Sequence, residues 1–355
     1  MKKVVKNTIA LLMCIFMSLS ITACHKQNEV ALTMNGINYT SAYYSCALIF
    51  ADSEAKQRVS GSVDSSTTEL DYSAQTIDGV KYNDWVKNKA IAICKDNTAY
   101  RLKCQEAGLD VTALAKEYEE NATVYWSYYG FSEIMQQNGV SLNTFNNYFK
   151  DQAYKEVYFN SIYGENGSNA IADNEINDYL NKNYVIANVL SADLSNLNEE
   201  ENAKKIAEFE GYKNKIASGE KFAKISAEFY NTTYTEDAEK PAFDYEQASI
   251  IGNTGTTYAS NNFEYVKDMA NGEVKVVEIK ADTENSVTPT VYLFFKGDMM
   301  SEDNTYLADL KTAVRHDIKD AEFSVNMKEF IASVTVDENK YATKQFKVDK
   351  IVYPS

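Results

Sequence analysis

Residues 184–190 read YVIANVL, and the period of the chain changes there. Before Tyr184 the apolar residues recur at helical spacing. VIANVL is instead a short β-rich run, with the length of a buried strand. The residues after it have the order of one small α/β unit. Ala203, Ile206, Ala207, Phe209, Ile216 and Ala217 put a helix over 198–218, and Gly219 ends it. Phe222, Ile225 and Phe229 begin the next helix, and a polar loop covers 231–248. GNTG at 252–255 is a tight loop, and Phe263 to Met269 a short helix. Val274 to Ile279 and Thr290 to Lys296 read as strands. From Thr305 the helical period returns through Leu307, Leu310, Val314, Ile318, Met327 and Ile331, and Phe346 to Tyr353 is strand-like. This order predicts an α+β chain: a discontinuous, mostly helical lobe with a small α/β domain inserted into it.

Moving outward toward the N-terminus, VALTMNGINYT (30–40) reads as a short strand and turn, with Asn35-Gly36 as the turn. Ser41 is placed to cap a helix carrying Tyr43, Tyr44, Leu48 and Ile49. From Asp52 to Gly79 the composition turns polar, which predicts a long loop. A helix begins near Tyr82 and stops at Gly108, and Asp110 or Thr112 opens the next. That helix ends in an aromatic stretch, Tyr125, Trp126, Tyr128 and Tyr129. Gly139 and the run 164–168 break further helices, and Asp173 caps one with Ile176, Tyr179 and Leu180.

The first residues carry an address. Lys2, Lys3 and Lys6 precede an apolar run from Thr8 to Ile21, and then Thr22-Ala23-Cys24. Charge, short apolar run and small residues in that order mark a cleaved export signal. The alternative is an uncleaved membrane anchor, but the run is shorter than the ~20 residues that span a bilayer. The segment resembles a bacterial lipobox, which implies a diacylglyceryl group on Cys24. Two acyl chains anchor stably at ~0.8 kcal/mol per buried CH₂. Cleavage removes three lysines and takes the formal charge from −16 to −19. So acidic a chain argues against nucleic acid and anionic lipid as partners. Cys46, Cys94 and Cys104 read as small buried hydrophobes, since ten helical residues put the last two ~15 Å apart, too far for a bridge. His25 and His316 are the only histidines, too few for a zinc site or a Ser-His-Asp triad. No metal and no cofactor are expected.

Several stretches resemble the PrsA/SurA-type extracytoplasmic foldases. TMNGINYTSAYY (33–44), IDGVKYNDWVKNKAIAICK (77–95) and QEAGLDVTA (105–113) are similar to their helical lobe. IASGEKFAKISAEFY (216–230), GNTG (252–255) and FEYVKDMANGEV (263–274) are similar to a parvulin-type prolyl isomerase domain. The resemblance implies a signal peptide over 1–23, a lipidated tether over 24–30 and a chaperone-like lobe over 31–183. It further implies a parvulin-like domain over 184–298 and a closing C-terminal helix over 299–355. The two histidines of a parvulin site fall on Asn188 and on Leu293, beside Tyr292, so isomerase activity is expected to be weak or absent. Phe263 matches the aromatic of the proline pocket, but Ala259-Ser260 replace its apolar partner. Asp237 and Asp244 both stand where the site carries a cysteine or aspartate. The implied function is a membrane-anchored, extracytoplasmic protein-folding factor. Its partners would be unfolded or partly folded exported proteins and the membrane, reached through Cys24, and a homodimer is left open. Tyr125, Trp126, Tyr128 and Tyr129 are then candidates for holding clients by aromatic area, against the alternative of ordinary packing. A solute-binding or a structural cell-envelope lipoprotein are the rival readings.

Overall fold

The computed structural model describes residues 27–61, 70–235, 242–282 and 287–353. The signal segment, Cys24 and Asp237 lie outside the described residues. The chain divides into two compact units. One comprises the residues up to Ile162, Asn166–Ser168 and those from Phe323 onward; the other comprises Tyr163–Glu165 and Asn169–Glu322.

The first unit opens on a hairpin of β1 (Val30–Met34) and β2 (Ile37–Thr40). Asn35 (φ 46) and Gly36 (φ 86) are both left-handed. Such a two-residue turn matches the twist of the strands it joins. Helix α1 (Ser41–Ser60) follows, capped by Thr40 and not by Ser41. The Thr40 hydroxyl accepts from the Tyr43 amide at 3.2 Å, while Ser41 donates its hydroxyl to the Glu29 carbonyl. α1 runs on into the stretch expected to be a loop. Ala51, Ala55 and Val59 recur at four-residue spacing and are buried, so a thin apolar stripe suffices to hold the last two turns. A short hairpin, β3 (Thr76–Ile77) and β4 (Val80–Lys81), leads into α2 (Tyr82–Glu106). Gly108, at φ 63, ends that helix as expected. Then come α3 (Thr112–Tyr128), α4 (Phe131–Gln137) and α5 (Leu142–Tyr163). Cys46, Cys94 and Cys104 are free and buried, and burial holds all three thiols above the ordinary range.

The core of this unit contains a charged network. The Asp151 side chain is fully buried and receives Arg101, whose Nε lies 2.8 Å from Oδ1. The Tyr43 hydroxyl donates to the other carboxylate oxygen, and Asn97 donates to the Tyr43 oxygen at 2.9 Å. Burial pushes the Asp151 carboxyl up, against the pull of Arg101.

The second unit begins with α6 (Asp173–Asn183) and is built on a four-stranded sheet, in which β5 (Tyr184–Asp193) is central. Helices α7 (Glu199–Ala217) and α8 (Phe222–Phe229) follow, and Asn198 and Glu201 form a capping box on α7. Then come β6 (Ser249–Gly252), α9 (Phe263–Val266), β7 (Val274–Ile279) and β8 (Thr290–Lys296). The sheet order is β6-β5-β8-β7, and every neighbouring pair is antiparallel. Alternation along β5 and β8 sorts their residues onto two faces. Ile186, Leu190, Leu293 and Phe295 join a core with Phe209, Ile216 and Ile225 of α7 and α8. Val185, Ala187 and Phe294 join Phe263, Val266 and Met269 on the other face.

Helix α10 (Leu307–Ser333) belongs to this unit up to Glu322 and to the first unit from Phe323. The compact α/β unit therefore exceeds the expected 184–298 at both ends. The reason lies in the apolar faces of its flanking helices. Ile176 and Leu180 of α6, and Leu310 and Val314 of α10, pack into the core under the sheet. Beyond α10, β9 (Val336–Glu338) pairs antiparallel with β1, giving the order β2-β1-β9. A short α11 (Lys340–Thr343) follows. The stretch Phe346 to Tyr353 is not a strand: it holds a 3-10 turn at Val348–Lys350 and then extends.

Candidate functional site

Two regions answer to the residues singled out in the sequence, one in each unit. In the sheet unit, Asn188 stands on β5 opposite Phe295 of β8, and is fully buried. Its side chain is committed to the backbone of the loop before β6. Asn188 Nδ2 donates to the Asp244 carbonyl at 2.7 Å, and Oδ1 accepts from the Asp244 amide at 3.1 Å. Asn188 and Asp244 are thus brought together, but through the main chain of Asp244. The Asp244 carboxylate turns to its own loop and accepts from the Glu246 amide at 3.0 Å. Phe243 fills the adjoining space, with its ring 5.3 Å from that of Phe295. Gly297 leaves room for that ring, since a Cβ there would lie 2.3 Å from it. A polar cleft of about 260 Å³ opens beside this loop, lined by Lys221, Ser226, Asp244 and Glu246 among others.

The remaining positions do not assemble around Asn188. Leu293 shares its face but is a fully buried core residue. Tyr292 lies on the opposite face, stacked on Phe294 with ring centres 5.4 Å apart and planes 9° apart. Strand alternation alone separates Asn188 from Tyr292, so the two form no common polar pocket. Phe263 is on the Tyr292 side, 5% exposed and packed among Val185, Ile251 and Met269. Its ring is spent on packing. Among the described residues no group of three His, Cys, Asp or Glu could hold a metal ion.

In the helical unit, α3 buries only Ala122 and Trp126, one turn apart. Trp126 packs edge-on against Phe145 at 5.3 Å and leaves the set of exposed aromatic residues for the core. The tyrosines beside it point outward. Tyr125 is 40% exposed, Tyr129 64% and Tyr128 85%, with Val124 at 55%. Tyr125 and Tyr129 touch each other and Phe149 backs Tyr125, so the shelf is anchored from beneath.

The chain is similar to the foldase protein PrsA of Lactococcus lactis, at 13% identity and a TM-score of 0.36, over 90% of this chain and 99% of that one. It is also similar to foldase protein PrsA of Streptococcus pneumoniae, at 14% identity and a TM-score of 0.39, over 79% of this chain and 99% of that one. No protein-family model matches the chain, and no curated protein matches it.

Two polar features of the helical unit escaped the sequence. Asp52 is 2% exposed within a stretch whose composition reads as a loop. Asn138 sits just before the helix-ending Gly139. Each has one partner more than 200 positions away, Tyr353 for Asp52 and Val352 for Asn138, and no local pattern reports those contacts.

Proposed function

We propose that this chain is a folding factor held on the outer face of a membrane by lipid on Cys24. It binds unfolded or partly folded exported proteins, with weak or no proline isomerase activity. The observation that carries the reading is the tyrosine shelf on α3. A soluble surface that keeps Val124, Tyr125, Tyr128 and Tyr129 together in water offers apolar area with hydroxyl rims. Tyrosine gives large contact area at low entropy cost and little demand on sequence, which suits varied unfolded clients. The sheet unit supports binding or spacing rather than catalysis. Its Asn188 amide is consumed by the Asp244 backbone, and Phe263 lies inside a core. The motif order and the lipobox support the extracytoplasmic address. Among the described residues no helix is long and apolar enough to cross a membrane. The wholly antiparallel strand pairing of the larger sheet speaks against a solute-binding lipoprotein, whose lobes rest on parallel sheets.

The test is suppression of aggregation. The purified chain from residue 25 onward is expected to slow light scattering by heat-denatured citrate synthase at stoichiometric amounts. Tyr128→Ala with Tyr129→Ala is expected to weaken that effect about ten-fold without changing the melting temperature, since exposed rings add little to the fold. No slowing by the parent chain would sink the proposal. The anchor is tested separately: Cys24→Ala should abolish labelling by radioactive palmitate and move the protein out of the membrane fraction. Persistent labelling would exclude lipid at Cys24.

A further inference from the structure

The segment Ile351–Tyr353 lies on the first unit, seated by contacts that do not depend on its being part of this chain. Ile351 is extended, at φ −64 and ψ 119. Asn138, just after α4, donates from Nδ2 to the Val352 carbonyl at 2.8 Å. Its Oδ1 accepts from the Val352 amide at 2.9 Å. One side-chain amide thus satisfies both main-chain groups of one residue, which reads extended backbone and not the side chain. The Val352 side chain is itself half in water, at 49% exposure.

The next residue supplies the selectivity. The Tyr353 hydroxyl donates to the Asp52 carboxylate, and the Lys56 ammonium stands 3.3 Å from the centre of its ring. Asp52 is built into the wall without help from the segment: Tyr82 donates to it at 2.8 Å, and Lys56 pairs with it at 3.0 Å. A cleft of about 610 Å³ continues past Ile351 toward Gln136, Gly139 and Lys347. Main-chain hydrogen bonds for affinity with a pocket for one side chain is a recurring way to hold an extended peptide.

We propose that the seat formed by Asn138, Asp52 and Lys56 is a binding site for extended segments that carry a tyrosine, and that Ile351–Tyr353 fills it until such a segment displaces it. The biological use of the seat rests on the folding-factor reading given above; the exchange itself does not. A covalently linked occupant competes at an effective concentration of order mM, so a free segment opens the seat when it is supplied in excess of that.

The probe is a fluorescein-labelled peptide with the sequence of residues 347–353, followed by anisotropy. Val352→Pro with Tyr353→Ala removes the amide that Asn138 accepts and the hydroxyl that Asp52 accepts. This opened chain is expected to bind the peptide at least about ten-fold tighter than the parent, and Asn138→Ala in the opened chain should reverse the gain, as two lost hydrogen bonds would. A peptide with phenylalanine in place of its tyrosine should bind more weakly. Equal binding by parent and opened chain, or a gain that survives Asn138→Ala, overturns the proposal. A second measurement leaves the seat intact: fluorotyrosine at position 353 of the parent should move to a solvent-like fluorine shift when unlabelled peptide is added in excess. A resonance that stays in place also overturns it. Peptide exchange in a chain that fails to suppress aggregation would support the seat and sink the folding-factor reading.

Discussion

Arg101→Met is expected to lower the stability of the helical unit by about 3–5 kcal/mol. The Arg101 side chain is 28% exposed, but its partner Asp151 is fully buried. Removing the guanidinium leaves a carboxylate in the core with only the Tyr43 hydroxyl to stabilise it. The carboxyl is already pushed up by burial, and it would then take a proton to survive. Chemical denaturation followed by far-UV circular dichroism measures the loss. Arg101→Met with Asp151→Leu is expected to recover part of it, because a buried pair replaced at both ends leaves no stranded charge. A loss under about 1 kcal/mol for the single variant would mean that solvent reaches Asp151.

The second expected result concerns Asn188. Asn188→Ala should cost the sheet unit about 2–4 kcal/mol, since it strands both the amide and the carbonyl of Asp244. Asn188→His with Leu293→His should also destabilise and confer no isomerase activity. Imidazole cannot span both backbone groups, and Leu293 is core. The parent chain is expected to leave the rate of a proline-containing peptide's isomerisation unchanged. A catalysed rate in the parent, or one gained on installing the histidines, would show that the Asp244 loop gives way to substrate.

What could be read from the sequence follows from the range of each interaction. The Asn35-Gly36 turn, the glycine stops at 108, 139 and 219, and the strand runs at 185–190, 274–279 and 290–296 show in local residue patterns and are present, whereas β6 (Ser249–Gly252), four residues paired with β5, was not read. The last turns of α1 were hidden because only Ala55 and Val59 mark them within polar sequence. β9 was hidden for the opposite reason: all three residues are exposed, and the pairing that makes them a strand comes from β1, 300 positions earlier. In the candidate site, composition pointed to Tyr125, Tyr128 and Tyr129. The inward turn of Trp126 is set by Phe145, on another helix. The sequence positions of Asn188, Leu293 and Tyr292 were legible, but not that alternation puts Tyr292 on the far face.

The pairing of β1 with β9 also sets the order in which the molecule can be finished. A chain made from its N-terminus presents Ala31, Leu32 and Met34 early, yet the strand that flanks them is not made until residues 336–338. The sheet unit, whose strands all lie between 184 and 296, can close first. Long-range closure is slow, and an unpaired strand edge is the part of a chain most open to wrong partners. The unit begun first is completed last, so through most of its own synthesis the protein carries the same exposed edge that its proposed clients do.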